Sequence, residues 1–144
     1  MLLGAHIDSW DLGTGATDNG TGVAAVLEAM RALQATGLKP KRTIRAVLFS
    51  GEEQGLLGST AYVKAHAAEL ADYQAVLIHD LGSGKVKGFS LQNQEGLRPF
   101  LARAIAPLQE WGVKDLPLES SRDSDHAPFV ARGVPAFFGV QELA

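Results

Sequence analysis

The sequence contains no cysteine, which excludes disulfide bonds and thiolate metal sites. It also lacks an apolar run long enough to span a bilayer and a basic run dense enough to indicate nucleic-acid binding. Internal repeats and low-complexity segments are absent. What remains is a chain of 144 residues with 46% hydrophobic content and a net charge of -3, which predicts a soluble globular protein with one core.

The two ends of the sequence carry no recognisable start or stop signal. The first residues, MLLGAHIDSW, have no basic n-region, and their apolar run is too short for a signal peptide. The last residues, GVPAFFGVQELA, stop just after an apolar segment that is typical of a strand. We therefore expect a domain that is truncated at both ends.

Hydrophobic periodicity predicts strands that alternate with helices. Strands are expected at 2–7, 43–49, 75–78 and 134–140, with an edge strand at 88–91 and a short strand at 113–118. Helices are expected at 23–33, 56–70, 97–108 and 125–132. The 43–49 segment is apolar apart from Arg45, which is expected of a strand covered on both faces. The alternation predicts an α/β fold, a three-layer αβα sandwich with a mostly parallel sheet, without an internal domain boundary.

Polar residues collect where the predicted strands end. In open α/β sheets, ligands bind outside the carboxyl ends of the strands. One imidazole and five carboxylates follow three such ends: His6, Asp8, Asp18, Glu52, Glu53 and Asp80. Because strand side chains alternate, His6 and Asp8 are expected on one face.

This group of side chains predicts a metal centre. Five anions in a small volume repel strongly unless cations neutralise them. Imidazole with carboxylates suits zinc, or less selectively manganese or cobalt, and the number of carboxylates indicates two ions. Adjacent glutamates on a loop can point in different directions, so one of Glu52 and Glu53 can bind a metal while the other stays free as a base.

Each residue also has an ordinary structural interpretation. His6 alone could be a core histidine. Turn or helix-cap positions would explain Asp8, Asp18 and Asp80, and a favourable interaction with the dipole of the following helix would explain the two glutamates. Other chemistries fit poorly, because GTGATD carries Asp18 where a dinucleotide motif needs its third glycine, and Ser50 lacks a nucleophile elbow. His66 is expected in solvent on its helix, and His79 is expected to point away from Asp80.

Four segments carry a resemblance to a known family. GAHIDSW, ATDNGTGVA, FSGEEQGLLGS and SDHAPFVARGVP occur in the order found in the co-catalytic zinc exopeptidases of the bacterial aminopeptidase type. HIDSWDLGTGATDNGTG and the later HDLGSGKVKGFSLQ resemble the plasma glutamate carboxypeptidase branch still more. The match covers nearly the whole chain, so residues 1–144 are identified as a partial catalytic domain of this family.

The resemblance implies a role for each residue of the group. It implies that His6 and Asp80 bind one zinc, that Asp18 bridges two zinc ions and that Glu53 binds the second. Glu52 would be the general base for hydrolysis of terminal peptide bonds by metal-activated water, and Asp8 would orient His6. The implied substrate is a short peptide or dipeptide. The resemblance implies no nucleic-acid or membrane partner and allows a homodimer. Members of the family are often exported, but the sequence leaves the compartment of this protein open.

The chain departs from the family at the second zinc. Members supply a further histidine from a later loop, before an Asp-Thr pair, and this sequence has no such segment. His126 is the available substitute, although the family's histidine at this position precedes a helix and is not the usual ligand. The departure keeps two alternatives open: a non-catalytic scaffold domain on the same fold, and a single-zinc glutaminyl cyclase. A truncated, inactive peptidase is a further expectation.

Overall fold

A computed structural model describes residues 1–80 and 82–142. The strands within this part are β1 (Leu2–His6), β2 (Arg45–Phe49), β3 (Val76–Ile78), β4 (Val86–Ser90) and β5 (Ala136–Gln141). The α-helices are α1 (Gly20–Ala35), α2 (Leu57–Ala65), α3 (Arg98–Ile105) and α4 (Ala127–Val130), and 3-10 helices cover Ala67–Asp72, Glu95–Leu97 and Ala106–Trp111. None of the helices in the described residues has the length and apolar character needed to cross a membrane.

The strands form one sheet in the order β2-β1-β3-β5-β4. The first four strands of that order run parallel, and β4 pairs antiparallel with β5 at the edge. Parallel strands place their carboxyl ends at a common edge of the sheet, so the loops that follow β1, β2 and β3 are neighbours. The predicted α/β fold with a mostly parallel sheet is confirmed.

Helices cover both faces of the sheet. On one face, Val63 of α2 and Phe129 of α4 pack with Phe49 and Ile78 of the strands. On the other, Leu101 and Ile105 of α3 pack against Phe137 of β5. Val26 of α1 lines a cavity on this second face with Leu77 and Phe89, which also border the α3 cluster. Burial on two sides explains why the central strands are apolar in sequence.

Four elements differ from the sequence-based prediction, one of them the helix expected at 97–108, which ends as an α-helix at Ile105 and continues as a 3-10 helix. Strand β2 lies at an edge of the described sheet and is only partly covered, with Ala46 exposed, so the expected burial of both faces was wrong. The helix expected at 56–70 ends at Ala65 and continues as a 3-10 helix after His66. The strand expected at 113–118 is reduced to a single bridge between Gly88 and Asp115.

Candidate metal centre

The site lies at the carboxyl edge of the sheet, around the last residue of β1. His6 is 1% exposed, and it pairs with Phe49 of β2, while the pairing of β1 with β3 extends as far as Gly4. Gly4 precedes His6 by two residues and faces the same side of the sheet. A Cβ at Gly4 would lie 2.6 Å from Ile78 Cδ1 and 2.9 Å from Phe49, so there is no room for a side chain there. Tight strand packing therefore fixes the position of the imidazole.

Carboxylates from three loops surround the outer nitrogen of this ring. His6 Nε2 lies 2.9 Å from Asp80 Oδ1, 3.1 Å from Asp18 Oδ1 and 4.0 Å from Glu52 Oε2. Two groups of three residues have possible metal-binding atoms within 4.8 Å of one another. One group is His6, Asp18 and Glu53, and the other is His6, Glu52 and Asp80. The structure thus brings together all five of these residues, and the two groups share the one histidine.

Asp8 connects the histidine to the glutamate loop. Its backbone carbonyl oxygen accepts a hydrogen bond from His6 Nδ1 at 3.1 Å, and its carboxylate accepts from the backbone N–H groups of Glu52 at 3.1 Å and Glu53 at 3.2 Å. Since a carbonyl oxygen can only accept, Nδ1 carries a proton. Nε2 donates to Asp80 when the ring is protonated and offers a lone pair to a cation when the ring is neutral. The Asp8 side chain holds the two glutamates beside that nitrogen, while its closest carboxylate contact with the ring is 3.7 Å.

The crowded charges shift the protonation of the site. Burial lowers the pKa of His6, but its hydrogen bond to Asp80 and the charges of Asp80 and Glu52 outweigh burial and raise the pKa to about 9. Burial and the charge of Asp80 raise the pKa of Glu52 to about 7. The pKa of Glu53 is also raised, by burial and by the charge of Asp18. The site favours added positive charge, either as protons or as a metal cation.

The donor set fits zinc. An imidazole nitrogen and carboxylate oxygens are ordinary zinc ligands, and catalytic zinc sites use three protein ligands with one open position. Each group supplies three such residues. The Nδ1 hydrogen bond of His6 to a carbonyl oxygen is the outer contact that metal-binding histidines normally make.

The remaining histidines lie outside this cluster in the described residues. His79 was expected to point away from Asp80; it lines the cavity on the α1 face with Val26, and burial lowers its pKa. His66 is half-buried rather than in solvent and contacts Glu69 through Nδ1 at 3.1 Å. His126 is fully buried, stacks on Phe138 and contacts the Ser121 carbonyl oxygen through Nε2 at 3.1 Å. The structure therefore does not bring His126 into either ligand group.

Sequence reasoning missed two buried polar residues beside the site. Asn19, 1% exposed, follows Asp18 at the start of α1, where an asparagine before an apolar periodic run is a recognisable helix cap. Asp125 is 0% exposed, and within residues 1–80 and 82–142 neither carboxylate oxygen has a hydrogen-bond partner.

Asp125 belongs to the electrostatic surroundings of the glutamate loop. Burial raises its pKa to about 6, and the Ser59 hydroxyl and the charge of His6 oppose that shift. The Ser59 hydroxyl gives its one proton to the Leu56 carbonyl oxygen at 3.3 Å, which agrees with the lack of a hydrogen-bond partner for Asp125 in the described residues. The charge of Asp125 in turn contributes to the raised pKa of Glu52. Its sequence signal was the polar triplet Ser-Asp-His before a short helix, which also fits a plain turn.

Comparison with solved structures supports the same interpretation of the fold. A peptidase M28 precursor from Shewanella amazonensis has a TM-score of 0.88 and 37% identity, over 97% of this chain and 32% of that chain. A zinc aminopeptidase from Bacillus subtilis has a TM-score of 0.79 and 27% identity, over 99% of this chain and 37% of that chain. A glutaminyl cyclase from Porphyromonas gingivalis, with a TM-score of 0.66 and 23% identity, shares the fold.

Sequence comparison identifies the family. Carboxypeptidase Q from Bos taurus is 34% identical over 135 residues, which are 94% of this chain and 28% of that protein. The chain therefore spans less than a third of the length of this relative. The family model described as Peptidase family M28 matches residues 1–142. These findings confirm the resemblance to the zinc exopeptidases, and the chain belongs to peptidase family M28.

Proposed function

We propose that residues 1–144 form part of the catalytic domain of a zinc-dependent exopeptidase. The observation that carries this proposal is the pair of overlapping donor groups that share His6. His6 and Asp80 would hold one ion, Asp18 would bridge, and Glu53 would hold the second. Bound zinc supplies Lewis-acid chemistry, polarising the scissile carbonyl and making water acidic.

Glu52 is the proposed general base. Its side chain is 8% exposed and belongs to the second donor group, where we assign it as the base, so that this group contributes His6 and Asp80 as ligands. In the metal-free site its pKa is raised to about 7. In the proposed reaction, the carboxylate takes a proton from the attacking water as the water oxygen bonds to the carbonyl carbon. When the C–N bond breaks, the same carboxyl group gives that proton to the leaving amine.

The proposed substrate is a short peptide or dipeptide bound by one terminus. The relatives include a carboxypeptidase and an aminopeptidase, and both belong to the exopeptidase class. Asp18, which is exposed and contacts His6 Nε2, marks the side from which a terminal peptide bond would approach the buried His6 and Glu52.

Paired substitutions test the different roles of the two glutamates. Glu52→Gln should remove dipeptide hydrolysis but leave zinc content unchanged, because only the proton acceptor is lost. Glu53→Gln should lower zinc content, because a ligand is lost. Both variants would be compared in this chain and in a version extended at both ends, by zinc analysis and hydrolysis assays. Equal loss of zinc in the two variants would contradict the assignment.

Zinc content also separates this proposal from the alternatives. In the extended protein, the peptidase should hold two ions, a glutaminyl cyclase one and a scaffold domain none. The likeness to a glutaminyl cyclase concerns the fold, whereas the ligand-rich cluster around His6 favours the peptidase.

A further inference from the structure

Asn19 connects two elements that carry candidate metal ligands. Its side-chain Oδ1 accepts a hydrogen bond from the Gly22 backbone N–H at 3.1 Å, which caps helix α1. Its Nδ2 donates to the His79 carbonyl oxygen at 2.9 Å, just after β3 ends. One buried amide therefore bridges the start of α1 and the end of β3, which are 60 residues apart in sequence.

Both ends of this bridge adjoin a carboxylate of the site. Asp18 precedes Asn19, and Asp80 follows His79. Asp18 and Asp80 contact the same atom, His6 Nε2, at 3.1 and 2.9 Å. The Asn19 bridge consequently constrains how far apart the two carboxylates can lie across the histidine.

The packing around the bridge leaves little freedom. A Cβ at Gly22 would lie 2.3 Å from Asn19 Oδ1 and 2.4 Å from the His79 carbonyl oxygen, closer than real Cβ contacts. Helix α1 can approach β3 this closely only because position 22 has no side chain. The separation between the two elements is therefore set by direct contact as well as by hydrogen bonds.

The residue type indicates more than helix capping. A cap needs only an acceptor for a backbone N–H, which Ser, Thr or Asp would also provide. The second bond needs a donor that reaches the His79 carbonyl oxygen. An Asp carboxylate has no donor, and a Ser or Thr hydroxyl carries donor and acceptor on one atom, whereas an amide carries them on two atoms of one rigid plane. Asn19 is thus suited to a role that joins both elements.

We propose that Asn19 is a positioning residue of the metal centre, whose amide fixes the separation of Asp18 and Asp80 around a cation that they share with His6. This inference rests on the proposed zinc exopeptidase function. Side chains that orient metal ligands in this way typically contribute about 10- to 100-fold to metal affinity.

The test uses Asn19→Asp in the 144-residue chain. This variant keeps the cap acceptor but loses the donor to His79, so helix α1 should keep its far-ultraviolet circular dichroism. Zinc affinity, measured by chelator competition, should fall about 10- to 100-fold. With Co²⁺ in place of zinc, the visible absorption bands should change, because the ligand geometry changes. Asn19→Ser, which also keeps an acceptor but adds no charge, should show the same effects.

Asn93→Asp is the matched control. Asn93 is exposed after β4, outside the ligand groups, so the same chemical change should leave zinc affinity and the Co²⁺ spectrum unaltered. Wild-type affinity and an unchanged Co²⁺ spectrum in Asn19→Asp would overturn the proposal. A lower affinity with an unchanged Co²⁺ spectrum and a matching loss of thermal stability would also overturn it, since that result describes a merely structural role.

A metal-free measurement distinguishes failure of this inference from failure of the proposed function. If wild type and Asn93→Asp both bind no zinc, the proposed function fails. NMR of the metal-free chain would still report on the bridge, because Asn19→Ser should increase the local motion of the backbone amides of Asp18 and Asp80. Unchanged amide relaxation at both positions would overturn the positioning role by itself.

Discussion

Asp125 shows how burial changes the chemistry of a single side chain. It is fully buried, whereas Asp123, two residues earlier, is exposed. Burial disfavours the ionised carboxylate and raises the pKa of Asp125 to about 6, from an ordinary value of 3.8. In the metal-free protein, Asp125 should therefore lower stability at neutral pH.

The direction of this pH effect follows from proton binding. Below pH 3.8, Asp125 is protonated in both the folded and unfolded chain and has no effect. Between that pH and about 6, the folded state keeps a proton that the unfolded state has lost, so the contribution of Asp125 to stability falls as pH rises. Above about pH 6 the loss is complete, and the shift corresponds to about 3 kcal/mol.

Asp125→Asn should remove this pH dependence. With a chelator present, the variant should exceed wild type in unfolding free energy by up to about 3 kcal/mol at pH 8, and the difference should shrink toward pH 4. Urea unfolding at several pH values measures it. Asp123→Asn, which changes an exposed acid, should show no such trend. A difference between Asp125→Asn and wild type that stays constant with pH would contradict the prediction.

At the scale of elements, the site depends on hydrogen bonds between loops that follow different strands. The Asp8 carboxylate, from the loop after β1, accepts the backbone N–H groups of both Glu52 and Glu53 in the loop after β2. The Arg45 side chain similarly joins β2 to α2 and the following 3-10 helix, through Tyr62, Tyr73 and Glu69.

Asp8→Ala should loosen the glutamate loop. Two backbone N–H groups lose a charged acceptor, which should lower the free energy of unfolding by about 1–3 kcal/mol. Zinc affinity should fall by about 10- to 100-fold, because the loop carries a proposed ligand. Chelator competition and urea unfolding measure the two effects. Asp11→Ala removes an exposed acid from the same loop and should leave both quantities near wild type, and equal effects in the two variants would refute the prediction.

At the scale of the whole molecule, the sheet delivers one histidine to its carboxyl edge. The two donor groups both require His6, and the other three histidines lie away from them in the part of the chain that the structure describes. An ion that takes His6 Nε2 therefore leaves a second ion with carboxylates alone, chiefly Asp18 and Glu53. A zinc site with fewer than three protein ligands should hold its ion weakly.

The 144-residue chain should consequently bind one zinc tightly and a second weakly. Native mass spectrometry and competition with chelators of graded affinity would resolve the two sites. Because His126 packs on Phe138 outside both groups, His126→Ala should not change the tight site. Two tightly held ions per monomer, unaffected by His126→Ala, would show that this ligand count is wrong.

The sequence by itself determined the fold class and indicated which polar residues would meet at one edge of the sheet. Apolar runs with a period of strands or helices predict a parallel sheet, and parallel strands necessarily end at one edge. Residues that follow those ends, such as His6 and Asp80, could therefore be expected to meet, and they lie 2.9 Å apart. Local patterns suffice for this step because periodicity and side-chain type are local properties, and strands that alternate with helices pair in parallel through crossover connections.

Only the tertiary structure decided the contacts that cross the sequence. The Asn19 bond to the His79 carbonyl oxygen, the Asp8 bonds to the glutamate loop and the burial of Asp125 join segments that no periodic pattern relates. The expected 56–70 helix changes at His66, where Glu69 contacts both His66 and Arg45 of β2. Polar side chains with several available partners take the one that packing brings within reach, and packing depends on the whole chain.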